Sequence, residues 1–154
     1  MSLFLKSIST LIIVFLASGI GSFFTMPTIG GWYANLNKPF FNPPNWIFGP
    51  VWTLLYFMMA IALAIVWEKR FKYTKFGLFF FLVQLLLNVF WSILFFGFKN
   101  PTFAFVDILF LNAFIILTII SFWKTSKLAG AMLIPYLIWC SFAMILNGAI
   151  VYLN

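Results

Sequence analysis

Few side chains in this sequence could do chemistry, and their types limit which chemistry. There is no histidine. That removes Ser-His-Asp and Cys-His catalysis, His-ligated zinc and His-ligated haem. The single cysteine, Cys140, can neither close a disulfide within the chain nor build a thiolate cluster. In its apolar run it reads as inert packing. The acids number two, Glu68 and Asp107. They fall in different segments, so they form a carboxylate pair only if the fold joins them. Walker-type and Rossmann glycine motifs are absent, so nucleotide handling is not expected, and neither is a metal site.

What remains is aromatic rings and amides, and their spacing is informative. Gln84, Asn88, Trp91 and Phe95 are spaced by four, three and four, which puts them on one helix face. Trp139, Ala143 and Asn147 are spaced by four and four, and Trp52, Tyr56 and Met59 form a third stripe. Polar side chains within apolar helices are costly and so carry information. If the stripes converge, they make an aromatic-walled pocket with a few hydrogen-bonding groups, the usual make-up of a small-molecule site. A flat, conjugated, mostly apolar ligand would stack there. The alternative is that the amides bridge helices as packing contacts. Trp46, Trp67 and Trp123 lie at the ends of apolar runs and read as interfacial belts.

The elements that must position these residues are membrane helices. Hydrophobic residues make up 65% of the 154 and charged residues 7%, against about 25% charged in a soluble domain. A globule of this size cannot hide that much apolar surface. Five runs of roughly 20 residues fit a bilayer core, at about 7–26, 46–67, 76–97, 101–123 and 130–153. Backbone groups in hydrocarbon must bond internally, so the runs are helices, too long and continuous for barrel strands. The fold class is all-α: one membrane domain over 1–154, a five-helix bundle. The first run has some look of a signal peptide. Its one leading charge and its apolar character past Gly19 read better as a retained helix.

Residues 27–45 hold Pro27, Pro39, Pro43 and Pro44. Prolines at this density stiffen a loop, which suggests a fixed cap over one mouth of the bundle rather than a mere reversal. Pro50 falls in the first turns of span 2, where a missing N–H does little harm. Pro135 is expected to kink span 5, because it removes a helical bond and crowds the carbonyl of Ala131. Ala17 and Gly21, with Ser18 and Ser22, give span 1 a face of small residues for close contact, within the bundle or across a dimer. Asp107, about six residues or ~9 Å into span 4, reads as a structural acid bonded to a neighbouring backbone or amide group, with a proton relay as the alternative.

The net charge of +7 marks topology and not nucleic acid. Seven Lys and Arg fall on the N-terminal side of the spans and two, Lys38 and Lys99, on the other. Basic loops stay inside, so the N-terminus is expected inside and the C-terminus outside. The 68–75 loop should meet anionic lipid at roughly 1 kcal/mol per basic residue. Glu68 and Lys72, four apart, are spaced to pair.

From the proline loop onward the sequence resembles the TspO/MBR family, the tryptophan-rich sensory proteins and translocator proteins (peripheral-type benzodiazepine receptors). The resemblance runs through Trp32-Tyr33, Lys38-Pro39, Pro43-Pro44, Trp46, Gly49-Pro50-Val51-Trp52 and Leu55-Tyr56. It continues in Gln84-Leu85, Leu87-Asn88, Trp91 and Phe95-Phe96-Gly97, then Val106-Asp107. It ends in Pro135-Tyr136-Leu137, Trp139, Phe142-Ala143 and Leu146-Asn147. It covers all but span 1, in order. It implies a five-helix bundle, usually a homodimer, whose first loop closes a pocket. It implies binding of protoporphyrin IX and related tetrapyrroles and of isoquinoline and benzodiazepine-type drugs. The family's pocket residues fall on Trp32, Tyr33, Pro44, Trp52, Asn88, Trp91, Trp139, Ala143 and Asn147. Trp52 and Trp139 match tryptophans implicated in light- and oxygen-dependent porphyrin breakdown. Two departures stand out. No Lys or Arg follows Tyr152, which the proposed sterol motif of the animal proteins needs, and position 91 is Trp where relatives vary among aromatics.

Three functions follow as expectations. The first is a membrane receptor or sensor for tetrapyrroles, with no obligatory cofactor and no nucleic-acid partner, in a bacterial plasma membrane. The second is a transporter of porphyrin or similar hydrophobic molecules, against which stands the lack of an inverted repeat or paired broken helices. The third is an enzyme. Acid–base turnover lacks its parts, so only photochemistry driven by the bound porphyrin is left.

Overall fold

The apolar runs fold as expected, with boundaries set by local hydrogen bonding. In a computed structural model that describes residues 2–69, 72 and 74–154 (for Leu3, the backbone only), the elements are α1 (Leu3–Ile29), α2 (Asn45–Glu68), α3 (Thr74–Ser92), α4 (Pro101–Thr125), α5 (Lys127–Met132) and α6 (Ile134–Leu153). A π turn, Ile93–Gly97, extends α3, and a 3-10 turn, Tyr33–Asn35, lies in the first loop. α3 with its π turn is one span and α5 with α6 another. Among the described residues, five spans are therefore long and apolar enough to cross a membrane.

α1 outruns its expected span at both ends. Ser2 caps it, its hydroxyl accepting from the Leu5 N–H. At the other end Pro27 lies inside the helix and not in the loop. The hydroxyls of Thr25 and Thr28 bond to the carbonyls of Gly21 and Phe24 and draw the helix on to Ile29. Pro50 is the sixth residue of α2, which continues through it. α4 starts at Asn100-Pro101, where Asn100 accepts from the Phe103 N–H at 3.0 Å and Pro101 occupies the first turn. The reversal before it is tight enough to hold Lys99 at φ 53°. Pro135 breaks its span instead of bending it. α5 stops at Met132, Leu133 turns, and Pro135 starts α6 where its missing N–H is harmless.

The helices form a ring in the order α1, α2, α5–α6, α4, α3. α4 packs along α3 and α6, α1 along α2 and α3, and α5 against α2 and α4. The core is close-packed. Met59, Phe81, Phe122 and Tyr136 are buried, and the Phe81 and Phe122 rings stack at 5.8 Å. Gly77 admits Phe122, which would stand 3.1 Å from a Cβ there. The small-residue face of α1 works inside the bundle: Ala17 is buried and Gly21 abuts Ser92 of α3. Large apolar side chains such as Phe79, Phe90 and Phe110 point outward, as lipid-facing residues do.

The ion pair at the basic end joins Lys6 of α1 to Glu68 of α2. α2 ends at Glu68, so Lys72 does not lie one turn along the same helix and the expected i, i+4 geometry is absent. Arg70 of the 68–75 loop lies outside the described residues.

Candidate functional site

All three stripes meet through hydrogen bonds, that of α3 bonding to both of the others. Tyr56 of α2 donates to Asn88 Oδ1 of α3 at 2.6 Å. Asn88 donates to the Tyr136 hydroxyl of α6 at 2.9 Å, and Tyr136 donates to Gln84 Oε1 at 2.7 Å. All four side chains are buried. About one turn along α3 from Asn88, the Trp91 indole N–H donates to Asn147 Oδ1 at 2.9 Å. Asn147 in turn donates to the Pro101 carbonyl at 2.9 Å, tying α3, α6 and α4 together. Both amides thus bridge helices and line a cavity at once, so the two alternatives read from the sequence are not exclusive.

The cavity has a volume of about 410 Å³ and lies between α1, α2, α3 and α6 beneath the first loop. Trp52 lies over Tyr56 with centroids 5.5 Å apart and meets Tyr136 at 6.2 Å. Trp91 stacks on Phe95 at 5.0 Å. Trp139 meets Phe48 at 5.9 Å and Phe142 at 5.6 Å. Such a volume with mostly aromatic walls suits a drug-sized, flat ligand.

The π turn shapes one wall. The Phe98 N–H reaches back to the Ile93 carbonyl at 2.8 Å, one residue further than an α-helix allows. The wider turn lets consecutive Phe95 and Phe96 both be buried under the loop. Tyr33 descends from the loop onto them, at 6.2 and 5.7 Å, and forms part of the cavity roof. Its hydroxyl donates to Asn42 Oδ1 at 3.1 Å, and Lys38 Nζ sits 4.8 Å over its ring. Burial pushes the Tyr33 phenol above its ordinary pKa, so it is neutral at physiological pH. The loop is also latched at its far side. The Asn37 N–H donates to Asn154 Oδ1 at 3.0 Å, and Asn154 Nδ2 donates to the Asn37 carbonyl at 2.8 Å.

Of the residues singled out from the sequence, Tyr33, Trp52, Asn88, Trp91, Trp139, Ala143 and Asn147 line this one cavity. Trp32 does not reach it. It packs edge-on against Phe95 from behind, at 5.6 Å. Pro44 is exposed and sits at the N-cap of α2. Gln84 is spent on Tyr136, below the cavity floor. The wall contributed by α1, which includes Ser18, Ser22 and Thr25, was not anticipated. Its only signal was a small-residue face, read for packing. The indole N–H of Trp139 is buried with no acceptor among the described residues. Asp107 does not make the full set of bonds expected of it. It is buried in α4, yet Oδ2 has no partner among the described residues. Among those residues no three of His, Cys, Asp and Glu come together to hold a metal.

Fold and site together define a polytopic membrane protein with an aromatic cavity roofed by its first loop. The sequence profile of the TspO/MBR family matches residues 9–153, and the chain belongs to that family. It is 48% identical over 159 residues to the tryptophan-rich protein TspO of Archaeoglobus fulgidus, covering 97% of each chain. It is 45% identical to the protein of the same name from Chlorobaculum tepidum, over 87% of this chain and 86% of that one. It is 35% identical to the human translocator protein, over 86% of this chain and 82% of that one.

Proposed function

We propose that this protein is a membrane receptor or sensor that takes flat, conjugated ligands into the cavity: protoporphyrin IX and related tetrapyrroles, and drug-like isoquinolines and benzodiazepines. The observation that carries the reading is the convergence of Trp52, Trp91 and Trp139 on one cavity under the loop. Family membership supports it. A receptor is favoured over a transporter because the chain of buried bonds from Tyr56 to Gln84 closes the cavity floor. A tetrapyrrole is larger than the cavity, so binding it requires the loop or one wall to yield. The ligand-binding set in this reading is Tyr33, Trp52, Asn88, Trp91, Trp139, Ala143 and Asn147, with Trp32 and Pro44 acting through the loop. The remaining parts of the reading are a homodimer, a bacterial plasma membrane and an N-terminus inside.

The same reading gives Trp52 and Trp139 a photochemical role. A photoexcited porphyrin either generates reactive oxygen or takes an electron from a touching indole and passes it to dioxygen; the reactive oxygen species formed in either case then oxidise the macrocycle, with dioxygen as the oxidant. The test is porphyrin titration of the purified protein in darkness and in light. Saturable binding in darkness supports the receptor. Light-driven loss of the porphyrin band should slow strongly in Trp52→Phe and Trp139→Phe, which keep an apolar ring, and little in Trp46→Phe, whose side chain is exposed. Equal rates in all variants would reduce the protein to a binder. Saturable uptake into vesicles would favour transport instead.

A further inference from the structure

The first loop carries a turn of unusual make-up. The Asn42 N–H donates to the Pro39 carbonyl at 3.0 Å, which puts Phe40 and Phe41 at the turn's tip. Turn positions normally go to Gly, Asn, Asp, Ser and Pro. Here the tip is two aromatic rings, edge to face at 5.4 Å, and Phe40 is fully exposed. Tyr33 serves the roof and Asn37 the latch, but neither explains this pair. The turn also lies low on the bundle. Asn37 is held at the end of α6 by Asn154 and the Leu153 carbonyl. Phe41 already meets Phe142, with centroids 6.3 Å apart, and Phe142 stands about 16 Å of helix short of Leu153. The loop therefore descends along α6.

Its depth and direction point to lipid. Asn147 bonds to the Pro101 carbonyl, so Phe142 is about 7 Å further from the mouth than the reversal that carries Lys99. Phe142 shares the outward stripe of α6 with exposed Ile138 and Ile145. The polar groups of the segment suit such a place. Pro39, Pro43 and Pro44 have no N–H to leave unpaired where water is scarce. The Asn42 side chain donates to the Pro43 carbonyl and accepts from Tyr33. Lys38 turns its ammonium back toward the mouth, onto the carbonyls of Ala34 and Leu36, as a cation beside lipid does. Trp46, the second residue of α2, is exposed just past this segment, and Trp favours the membrane interface.

We propose that the Pro39–Asn42 turn is a membrane anchor: Phe40, with Phe41 and Trp46, inserts beside α6 at the boundary of headgroups and acyl chains, and its partner is the phospholipid bilayer. Through the bond from Tyr33 to Asn42 the anchor also ties the cavity roof to the membrane. The anchor does not depend on what the cavity binds. Spin labels in phosphatidylcholine nanodiscs test it. In a Cys140→Ala background, a nitroxide at Phe40→Cys is compared with one at Ile145→Cys, on the outward stripe of α6, and one at Gly31→Cys, exposed in the same loop. Molecular oxygen collects among acyl chains and a nickel chelate stays in water. The ratio of oxygen to nickel collisions at Phe40 should come close to that at Ile145 and exceed that at Gly31 several-fold. A ratio like that at Gly31 overturns the anchor. So does shielding from both relaxants with dipolar broadening between labels, which would give the turn to a second copy of the chain. The unsubstituted protein provides a second measurement. A phosphatidylcholine with a photoactivatable diazirine near the top of its acyl chain should form adducts on residues 39–42, and adducts on α6 with none on the turn would overturn the proposal as well.

Discussion

Replacing Asn88 by Leu should destabilise the bundle through one stranded hydroxyl. In the parent, Tyr56 donates to Asn88 Oδ1 at 2.6 Å and Asn88 donates to Tyr136 at 2.9 Å. Leu fills about the same space but offers no acceptor. Tyr136 still donates to Gln84, so it loses one bond and keeps another. Tyr56 loses its one acceptor among the described residues, in a site where the residue is 6% exposed. A stranded buried donor costs about 1–3 kcal/mol. Pairs inside membrane proteins measure lower, about 0.6 and up to about 1.7 kcal/mol, because the unfolded chain in lipid also finds partners. The two ranges together give about 1–2 kcal/mol for Asn88→Leu. Tyr56→Phe keeps the ring against Trp52 and removes the orphan, so in the Asn88→Leu background it should cost far less than in the parent. The double variant should be about 1 kcal/mol more stable than the sum of the single losses. Unfolding with sodium dodecyl sulfate in mixed micelles, followed by tryptophan fluorescence, measures all four corners. Additivity within about 0.3 kcal/mol would refute the coupling and with it the bonded floor of the cavity.

Two further substitutions probe packing and the roof. Gly130→Ala places a Cβ 2.8 Å from the Trp123 ring and 3.0 Å from its backbone N. It should lower unfolding stability by about 1–3 kcal/mol, whereas Gly19→Ala, with open space around it, should cost nothing or stabilise slightly; similar losses at both would refute the close α4–α5 contact. Asn154→Ala removes two of the three bonds that hold Asn37, leaving that from Asn37 Nδ2 to the Leu153 carbonyl. Ligand dissociation, read by stopped-flow fluorescence, should quicken a few-fold with a smaller change in association, and an unchanged off-rate would show that the latch does not govern the loop.

The spans were legible because the hydrocarbon solvent leaves few choices. A run of twenty apolar residues must be helix, and aromatic–amide stripes at helical spacing must share a face. What sequence could not show was the use made of each face. Gln84 and Asn88 fall on one stripe and both face α2 and α6, yet Gln84 is consumed below the floor while Asn88 reaches the cavity, a difference set by depth along α3. Phe96 escaped the periodicity because the π turn inserts a residue where a regular helix was assumed. Pro44 looked like part of the roof because prolines crowd the loop, but its fixed φ serves the start of α2. The serines of α1 suggested packing alone, since a small residue facing a cavity and one facing a helix are identical in sequence.

The bonding pattern also says which wall can move. α2, α3, α4 and α6 are cross-tied by side chains: Tyr56 to Asn88, Asn88 to Tyr136, Trp91 to Asn147, Asn147 to Pro101 and Ser141 to Asn112. The hydroxyls of Ser9, Thr10, Thr25 and Thr28 on α1 all bond within α1. Among the described residues, its side-chain tie to another membrane helix is Lys6 with Glu68, at the end away from the loop. Near the cavity α1 is held by contact alone, Gly21 on Ser92 and Phe24 on Gly97. A ligand larger than the cavity should therefore enter by displacing α1, pivoting about the Lys6 end. A disulfide across the contact tests this. The ideal Cβ of residue 21 lies 3.6 Å from Ser92 Cβ, within the ~3.5–4.5 Å that a disulfide needs. Gly21→Cys with Ser92→Cys, in a Cys140→Ala background, should cross-link on mild oxidation without unfolding. Porphyrin association should then slow at least tenfold and recover on reduction, while a probe small enough for the cavity, such as fluorene, should bind at nearly the reduced rate. Equal porphyrin rates in the oxidised and reduced forms would show that the loop, and not α1, is the moving wall.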